Sequence, residues 1–194
     1  MSKQINYFSG ERYNQLAKKE GYRSRAAFKL IQINKKFNLI KSGQNILDIG
    51  ASPGSWSQAA KKIIKNNGTI TAIDILPMEK IDGVQFIHKD LLEVDEREFQ
   101  FKFNLVISDI APNISGIRIL DDEKMIELLN IEIYLIEKVL EKGGSFLAKC
   151  FQGESYVHLK KGLKERFKEI HRFKPDASRK TSNECYLIGI NKKG

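Results

Sequence analysis

The chain is 194 residues long, 41% hydrophobic and 29% charged, with a formal net charge of +9. That is enough chain to bury one core, and residues 1–194 read as a single domain, with no bilayer-length apolar span and no signal-peptide pattern at Met1–Phe8. Cys150 and Cys185 stand far apart without metal-ligand or redox spacing, which predicts buried free thiols, no metal and a reducing, cytoplasmic setting.

Almost all of the excess charge sits at one end. Residues 1–41 hold seven Lys and three Arg against Glu11 and Glu20, while the rest is nearly balanced. Such segregation predicts a polyanion-binding face on an N-terminal helical segment. A mildly amphipathic helix is expected over residues 7–20, carrying Tyr7, Phe8, Tyr13 and Leu16 and interrupted by Gly21. Ser24 is the expected N-cap of a second helix, with Ala27, Phe28, Leu30, Ile31, Ile33 and Phe37 on its packed face. Taken alone, Lys29 on that helix reads as a lysine snorkelling to water.

Asn45–Ile49 is a short β-branched run between Gly43 and Gly50, the pattern of a buried parallel strand. Gly50, Pro53 and Gly54 then force a sharp loop, and a helix opens at Trp56. A second strand over 69–73 ends at Asp74, and a third over 84–88 precedes Asp90. Glu93 to Glu98 is expected as a solvated turn. The fourth strand, 103–108, carries Asp109-Ile-Ala-Pro-Asn113 at its carboxyl end, followed by an apolar, glycine-containing loop at 114–120 that suits a mobile lid. Asp121 or Asp122 is the expected cap of a long helix through Val139, ended by Gly143-Gly144. The fifth strand, 145–151, contains Lys149. A helix over 154–167, a strand at 170–173, a polar link and a last strand at 185–190 complete the chain. Alternating strands and helices predict a doubly wound α/β sheet.

The central loop, G-x-x-x-G with a proline inside, is neither the dinucleotide fingerprint nor the phosphate loop. Asp74 could accept from both hydroxyls of a ribose, and Asp90 from an adenine amino group. A ribonucleoside without phosphates fits, which favours S-adenosylmethionine over a nicotinamide dinucleotide.

Six motifs carry a resemblance: R-S-R-A-A-F-K-L (23–30), L-D-I-G-A-S-P-G-S-W-S-Q (47–58), D-I-L-P-M (74–78), S-D-I-A-P-N-I-S-G (108–116), K-C-F-Q-G-E (149–154) and K-P-D-A-S-R-K-T-S-N-E-C-Y (174–186). Together they resemble the FtsJ-type ribosomal RNA 2′-O-ribose methyltransferases from about residue 8 to 190. The resemblance implies the Rossmann-like class I S-adenosylmethionine-dependent methyltransferase fold, a seven-stranded, mostly parallel sheet with its last strand antiparallel. It implies S-adenosyl-L-methionine held by Gly50, Gly54, Trp56, Asp74, Asp90 and Asp109. It also implies a catalytic tetrad on Lys29, Asp109, Lys149 and Glu184, which overturns the snorkelling reading of Lys29. One departure from the family's P-G-G-W is Ser55, expected to be harmless if that position needs only ordinary backbone angles.

Methyl transfer to a ribose hydroxyl is a displacement governed by positioning, and the hydroxyl needs a proton acceptor. Burial and the Lys29 ammonium favour a neutral Lys149, while Asp109 and Glu184 favour a charged one. Lys149 is the expected base, oriented by Asp109 and Lys29 with Glu184 in support; the rival assignment makes Asp109 the base. For the RNA, Lys18, Lys19, Arg23 and Arg25 are expected on one rim and Arg172, Lys174, Arg179 and Lys180 on the other. Resemblance to the bacterial members implies a uridine of the A-loop, within the assembled large ribosomal subunit, as the target; a monomer is the default expectation. A non-catalytic RNA-binding or assembly factor on the same fold is the alternative; the absence of G-x-G-x-x-G disfavours a dehydrogenase.

Overall fold

Apolar β-branched runs and amphipathic helices alternate along the chain, and the computed structural model, which describes residues 8–194 except 66 and 114, turns that alternation into a single sheet. Its strands are Asn45–Ile49 (β1), Thr69–Asp74 (β2), Val84–His88 (β3), Phe103–Ser108 (β4), Leu140–Phe151 (β5), Phe167–Phe173 (β6) and Glu184–Lys192 (β7). They lie in the order β3-β2-β1-β4-β5-β7-β6, and β7 runs antiparallel to both neighbours while the others are parallel. The expected doubly wound fold, with its last strand antiparallel, is the observed one.

The helices are Phe8–Glu20 (α1), Ala26–Phe37 (α2), Ser55–Ile64 (α3), Arg118–Val139 (α4) and Glu154–Arg166 (α5). Period-two alternation splits each strand between two cores. Along β5, Phe146, Ala148 and Cys150 join the cluster under α4 and α5, while Leu147 joins the one under α1, α2 and α3. Ala17 and Tyr22 anchor the N-terminal segment in the second cluster, and the Tyr22 amide donates to the Ala17 carbonyl at 2.8 Å. Each fully buried Leu, Ile or Phe contributes about 1.5–3 kcal/mol relative to its exposed state.

Three boundaries differ from the sequence reading, each for a local reason. α4 begins at Arg118, three residues before Asp121, so neither Asp121 nor Asp122 is its cap. Asp121 instead reaches back from the first turn and accepts from the Ser115 amide and hydroxyl at 2.7 and 2.8 Å and from the Gly116 amide at 3.1 Å, which ties down the described part of the expected lid. Gly143 and Gly144 lie inside β5, where the register between β4 and β5 slips from Phe103↔Leu140 to Leu105↔Ser145; the glycines serve an irregularity in a strand and do not end the helix. Ser24 accepts from the Ala26 amide at 3.2 Å, but the residue flanking α2 is Arg25, which makes no side-chain cap.

Candidate active site

β1 and β4 are neighbours although β2 and β3 lie between them in sequence, so the sheet order reverses there. Open α/β sheets bind ligands at the carboxyl ends of strands beside such a reversal. The Asp109 amide donates to the Ile49 carbonyl at 3.2 Å, which sets the end of β4 against Gly50. Gly50 has φ +70°, and a Cβ on it would stand 2.7 Å from the Ile110 Cα, so any side chain here would push the two loops apart.

A cavity of about 600 Å³ opens at this point, lined among others by Gly50, Asp74, Asp90, Ile110, Pro112 and Lys149. Asp74 accepts from the Ser52 and Leu76 amides, both at 2.8 Å, and Asp90 accepts from the Leu92 amide at 3.0 Å. These bonds fix both carboxylates at the ends of β2 and β3 and still leave lone pairs for a ligand. Two oriented carboxylates, a glycine floor and apolar walls from Ile73, Leu91 and Ile110 fit an adenosine group.

Gly54 and Trp56, expected at the cofactor, do not line this cavity. A Cβ on Gly54 would lie 2.6 Å from Ile81 and 2.8 Å from the Arg23 guanidinium, so the glycine lets a neighbouring loop come close. Trp56 is buried on the other face of the sheet, where its Nε1 donates to the Ala26 carbonyl at 2.8 Å and its ring packs 5.7 Å from Tyr186. Trp56 thereby ties α3 to the start of α2. Ser55 opens α3 without positive φ, as expected, and its hydroxyl meets that of Ser24 at 2.8 Å.

Lys29, Asp109, Lys149 and Glu184 converge from α2 and the ends of β4, β5 and β7. Lys29 and Lys149 are each 9% exposed, rare for lysine unless paired. The Lys29 ammonium lies 2.8 Å from Glu184 and 3.9 Å from Asp109 Oδ2. Lys149 lies 3.2 Å from Asp109 Oδ1 and donates to the Asp109 backbone carbonyl. Sequence reasoning missed a fifth member, Tyr186, whose hydroxyl donates to Asp109 Oδ1 at 2.7 Å. Burial, reinforced by the Asp109 charge, pushes its phenol well above the ordinary range, so it remains a donor. Its position two residues beyond Glu184 on the same face of a strand was the available signal.

Two buried acids flank the group and were also missed. Asp48 accepts from Ser57 Oγ at 2.6 Å, and burial pushes its carboxyl up to about 7 against the pull of that bond, with Asp109 and Asp74 adding to the rise. Glu132 accepts from Ser108 Oγ, and burial pushes it up to about 7 as well, opposed by the Ser108 bond and by Lys149.

Of the residues expected to meet RNA, Lys18, Lys19 and Arg179 are exposed and Arg25 is half-buried. Arg23 is half-buried, and its guanidinium donates to the Pro53 and Glu79 carbonyls at 2.7 and 2.8 Å and to the Lys80 carbonyl at 3.0 Å, clamping two loops. On the other rim Lys174 donates to the Ser182 carbonyl at 2.7 Å, while Arg172 lies over the Tyr156 ring. No helix is long and apolar enough to cross a membrane, and no cluster of metal-ligating side chains occurs, among the described residues.

Comparison with known proteins places this architecture. Residues 22–192 match the FtsJ-like methyltransferase family. Ribosomal RNA large subunit methyltransferase E of Neisseria gonorrhoeae is 43% identical over 190 residues, covering 94% of this chain and 92% of its own length. The protein of the same name from Psychrobacter sp. is 42% identical over 188 residues, covering 92% and 88%. A Plasmodium falciparum crystal structure described as a ribosomal RNA methyltransferase superposes with a TM-score of 0.80 at 32% identity, covering 89% of this chain and 100% of that one. Aeropyrum pernix fibrillarin, crystallised with natively bound S-adenosylmethionine, shares the fold with a TM-score of 0.64 at 17% identity, covering 92% and 76%. With a cavity shaped for adenosine at the switch point and a family match over most of its length, the chain belongs to the FtsJ-like methyltransferases, and its cofactor is S-adenosylmethionine.

Proposed function

We propose that the chain methylates the 2′-hydroxyl of a ribose in the RNA of the large ribosomal particle, with an A-loop uridine as target. The observation that carries the reading is the convergence of Lys29, Asp109, Lys149 and Glu184 beside the cavity, with Asp109 and Lys149 on its wall. When bound, S-adenosylmethionine supplies an electrophilic methyl group on a sulfonium. Asp74, Asp90 and Gly50 hold its adenosine portion. The attacking hydroxyl must surrender its proton as the new oxygen–carbon bond forms, and Lys149 takes it. Asp109 already accepts from Tyr186 and is paired with two ammonium groups, which favours the lysine as base over the carboxylate. Lys29, held by Glu184, orients the hydroxyl. The exposed Lys18, Lys19 and Arg179 grip phosphates without reading sequence. Homology to enzymes named for large-subunit ribosomal RNA supports the substrate, and a monomer acting in the cytoplasm on the assembled particle completes the reading.

The test is transfer of labelled methyl from S-adenosylmethionine to large subunits lacking their native modifications, beside naked ribosomal RNA and bulk tRNA. Label on subunits, mapped to a ribose and lost in Lys149→Ala, is expected. Label on tRNA overturns the target, and no label with cofactor still bound favours an assembly factor. Activity retained in Lys149→Arg across pH excludes lysine as the base.

A further inference from the structure

The connection from β2 to β3 supplies part of the cofactor cavity, with Asp74, Ile75 and Leu76 on its wall. Core packing does not hold this loop. No residue from 75 to 83 is buried or belongs to either core cluster, and Ile75 and Leu76 are 61% and 60% exposed. Polar ties set its place instead. The Ser52 hydroxyl donates to the Pro77 carbonyl at 3.1 Å, and His88 Nε2 lies 2.8 Å from the Ile75 carbonyl.

Two further ties come from Arg23, which is not itself on the cavity wall. The guanidinium that grips the Glu79 and Lys80 carbonyls also grips that of Pro53, the residue after the wall residue Ser52. One side chain thus joins the loop after β1 to the loop after β2. Arg23 is itself anchored by α3: its amide donates to Gln58 Oε1 at 2.9 Å, and Gln58 Nε2 donates to the Gly21 carbonyl at 3.2 Å. The Glu79 carboxylate, 3.8 Å away and 93% exposed, adds little, so the three carbonyls account for the placement of the guanidinium.

We propose that Arg23 is a positioning residue for S-adenosylmethionine: it sets the spacing between the loops that carry Ser52 and Asp74–Leu76, and with it the width of the cavity that receives the cofactor. Arginine is needed for this, because its planar fork reaches carbonyls on two loops from two nitrogens, whereas lysine offers a single point of donation. The inference rests on the cofactor assignment and not on a ribose as methyl acceptor, so the two readings fail separately.

Arg23→Lys keeps the charge and loses the fork; Arg23→Gln serves as the second variant if the lysine variant does not fold. The control is Arg166→Lys, which removes a guanidinium grip on the Gly162 carbonyl away from the cavity. Urea unfolding first fixes conditions in which every protein is fully folded. Equilibrium dialysis with S-adenosylmethionine then reads affinity without turnover. Binding about tenfold weaker is expected for Arg23→Lys and unchanged for Arg166→Lys. Hydrogen exchange of residues 75–83 in the absence of cofactor should quicken in the Arg23 variant and slow again at saturating cofactor. An unchanged dissociation constant overturns the proposal, and so does weaker binding with unchanged exchange in that loop. Steady-state methyl transfer separates the remaining roles. A raised KM for S-adenosylmethionine with an unmoved KM for RNA is expected; a raised KM for RNA alone makes Arg23 an RNA contact, and a lower kcat with both KM values unmoved makes it merely structural. If the unaltered protein methylates no RNA while the variant still binds cofactor more weakly, the proposed function fails and the clamp stands.

Discussion

Replacing Asp48 by asparagine should stabilise the protein, and by an amount that depends on pH. Asp48 is fully buried in β1 with a single hydrogen-bond partner, Ser57, and its carboxyl is pushed up to about 7 from 3.8. In the unfolded chain the same group ionises near its ordinary value, so between roughly pH 4 and 7 the folded state holds one more proton than the unfolded state. Stability from this group is therefore fully present below the unfolded value and lost as pH rises through the folded one. Each unit in that window removes about 1.4 kcal/mol, so between pH 5 and 8 the wild-type chain loses about 3 kcal/mol that the Asp48→Asn variant would not lose. The amide oxygen of the variant still accepts from Ser57, which leaves charge as the only change. Urea unfolding at four pH values, followed by the fluorescence of Trp56, the chain's single tryptophan, measures the gap. A variant advantage that widens with pH is expected. A gap constant from pH 5 to 8 refutes the claim that Asp48 is folded as a neutral acid.

Gly50→Ala should weaken S-adenosylmethionine binding about fivefold to hundredfold, since overpacking costs about 1–3 kcal/mol and the new Cβ is aimed at Ile110; equilibrium dialysis decides it. Glu184→Gln should lower kcat about tenfold to hundredfold by weakening the anchor of Lys29 while leaving cofactor affinity unchanged, because Glu184 does not line the cavity; a matching loss of affinity would place it at the cofactor instead. Arg23→Ala should destabilise the fold by about 2–3 kcal/mol and leave the salt dependence of RNA binding intact, whereas Arg179→Ala should lower that salt slope by about one with stability unchanged. Reversal of these two results would return Arg23 to the RNA surface.

What could be read from the chain was whatever local pattern decides. Asn45–Ile49 is a strand because its apolar run is short and bounded by glycines, and the alternation of such runs with helices left little choice of architecture. The gathering of Lys29 with Glu184, 155 positions away, is set by tertiary packing and was visible only through the motif resemblance. Charge type gave no hint of the carbonyl clamp at Arg23, where arginine's five donors suit carbonyls as well as phosphates. Glycine misled at Gly143 and Gly144, because a strand irregularity and a helix end both call for it. Asp48 and Glu132 escaped because nothing near them in sequence announces that an acid will be buried there, whereas Tyr186 could have been found from its place two residues beyond Glu184.

β7 is the last strand in sequence and sits between β5 and β6 in space. A chain emerging from the ribosome thus completes the cavity residues Gly50, Asp74, Asp90 and Asp109, and even Lys149, while a gap still separates β5 from β6. Glu184 and Tyr186 arrive only when the final segment is threaded into that gap, and the same event seals two open strand edges that would otherwise invite pairing with other chains. Unfinished polypeptide lacks the anchor of Lys29 and the phenol on Asp109, so completion of folding and completion of the catalytic group coincide. The fold arms itself last.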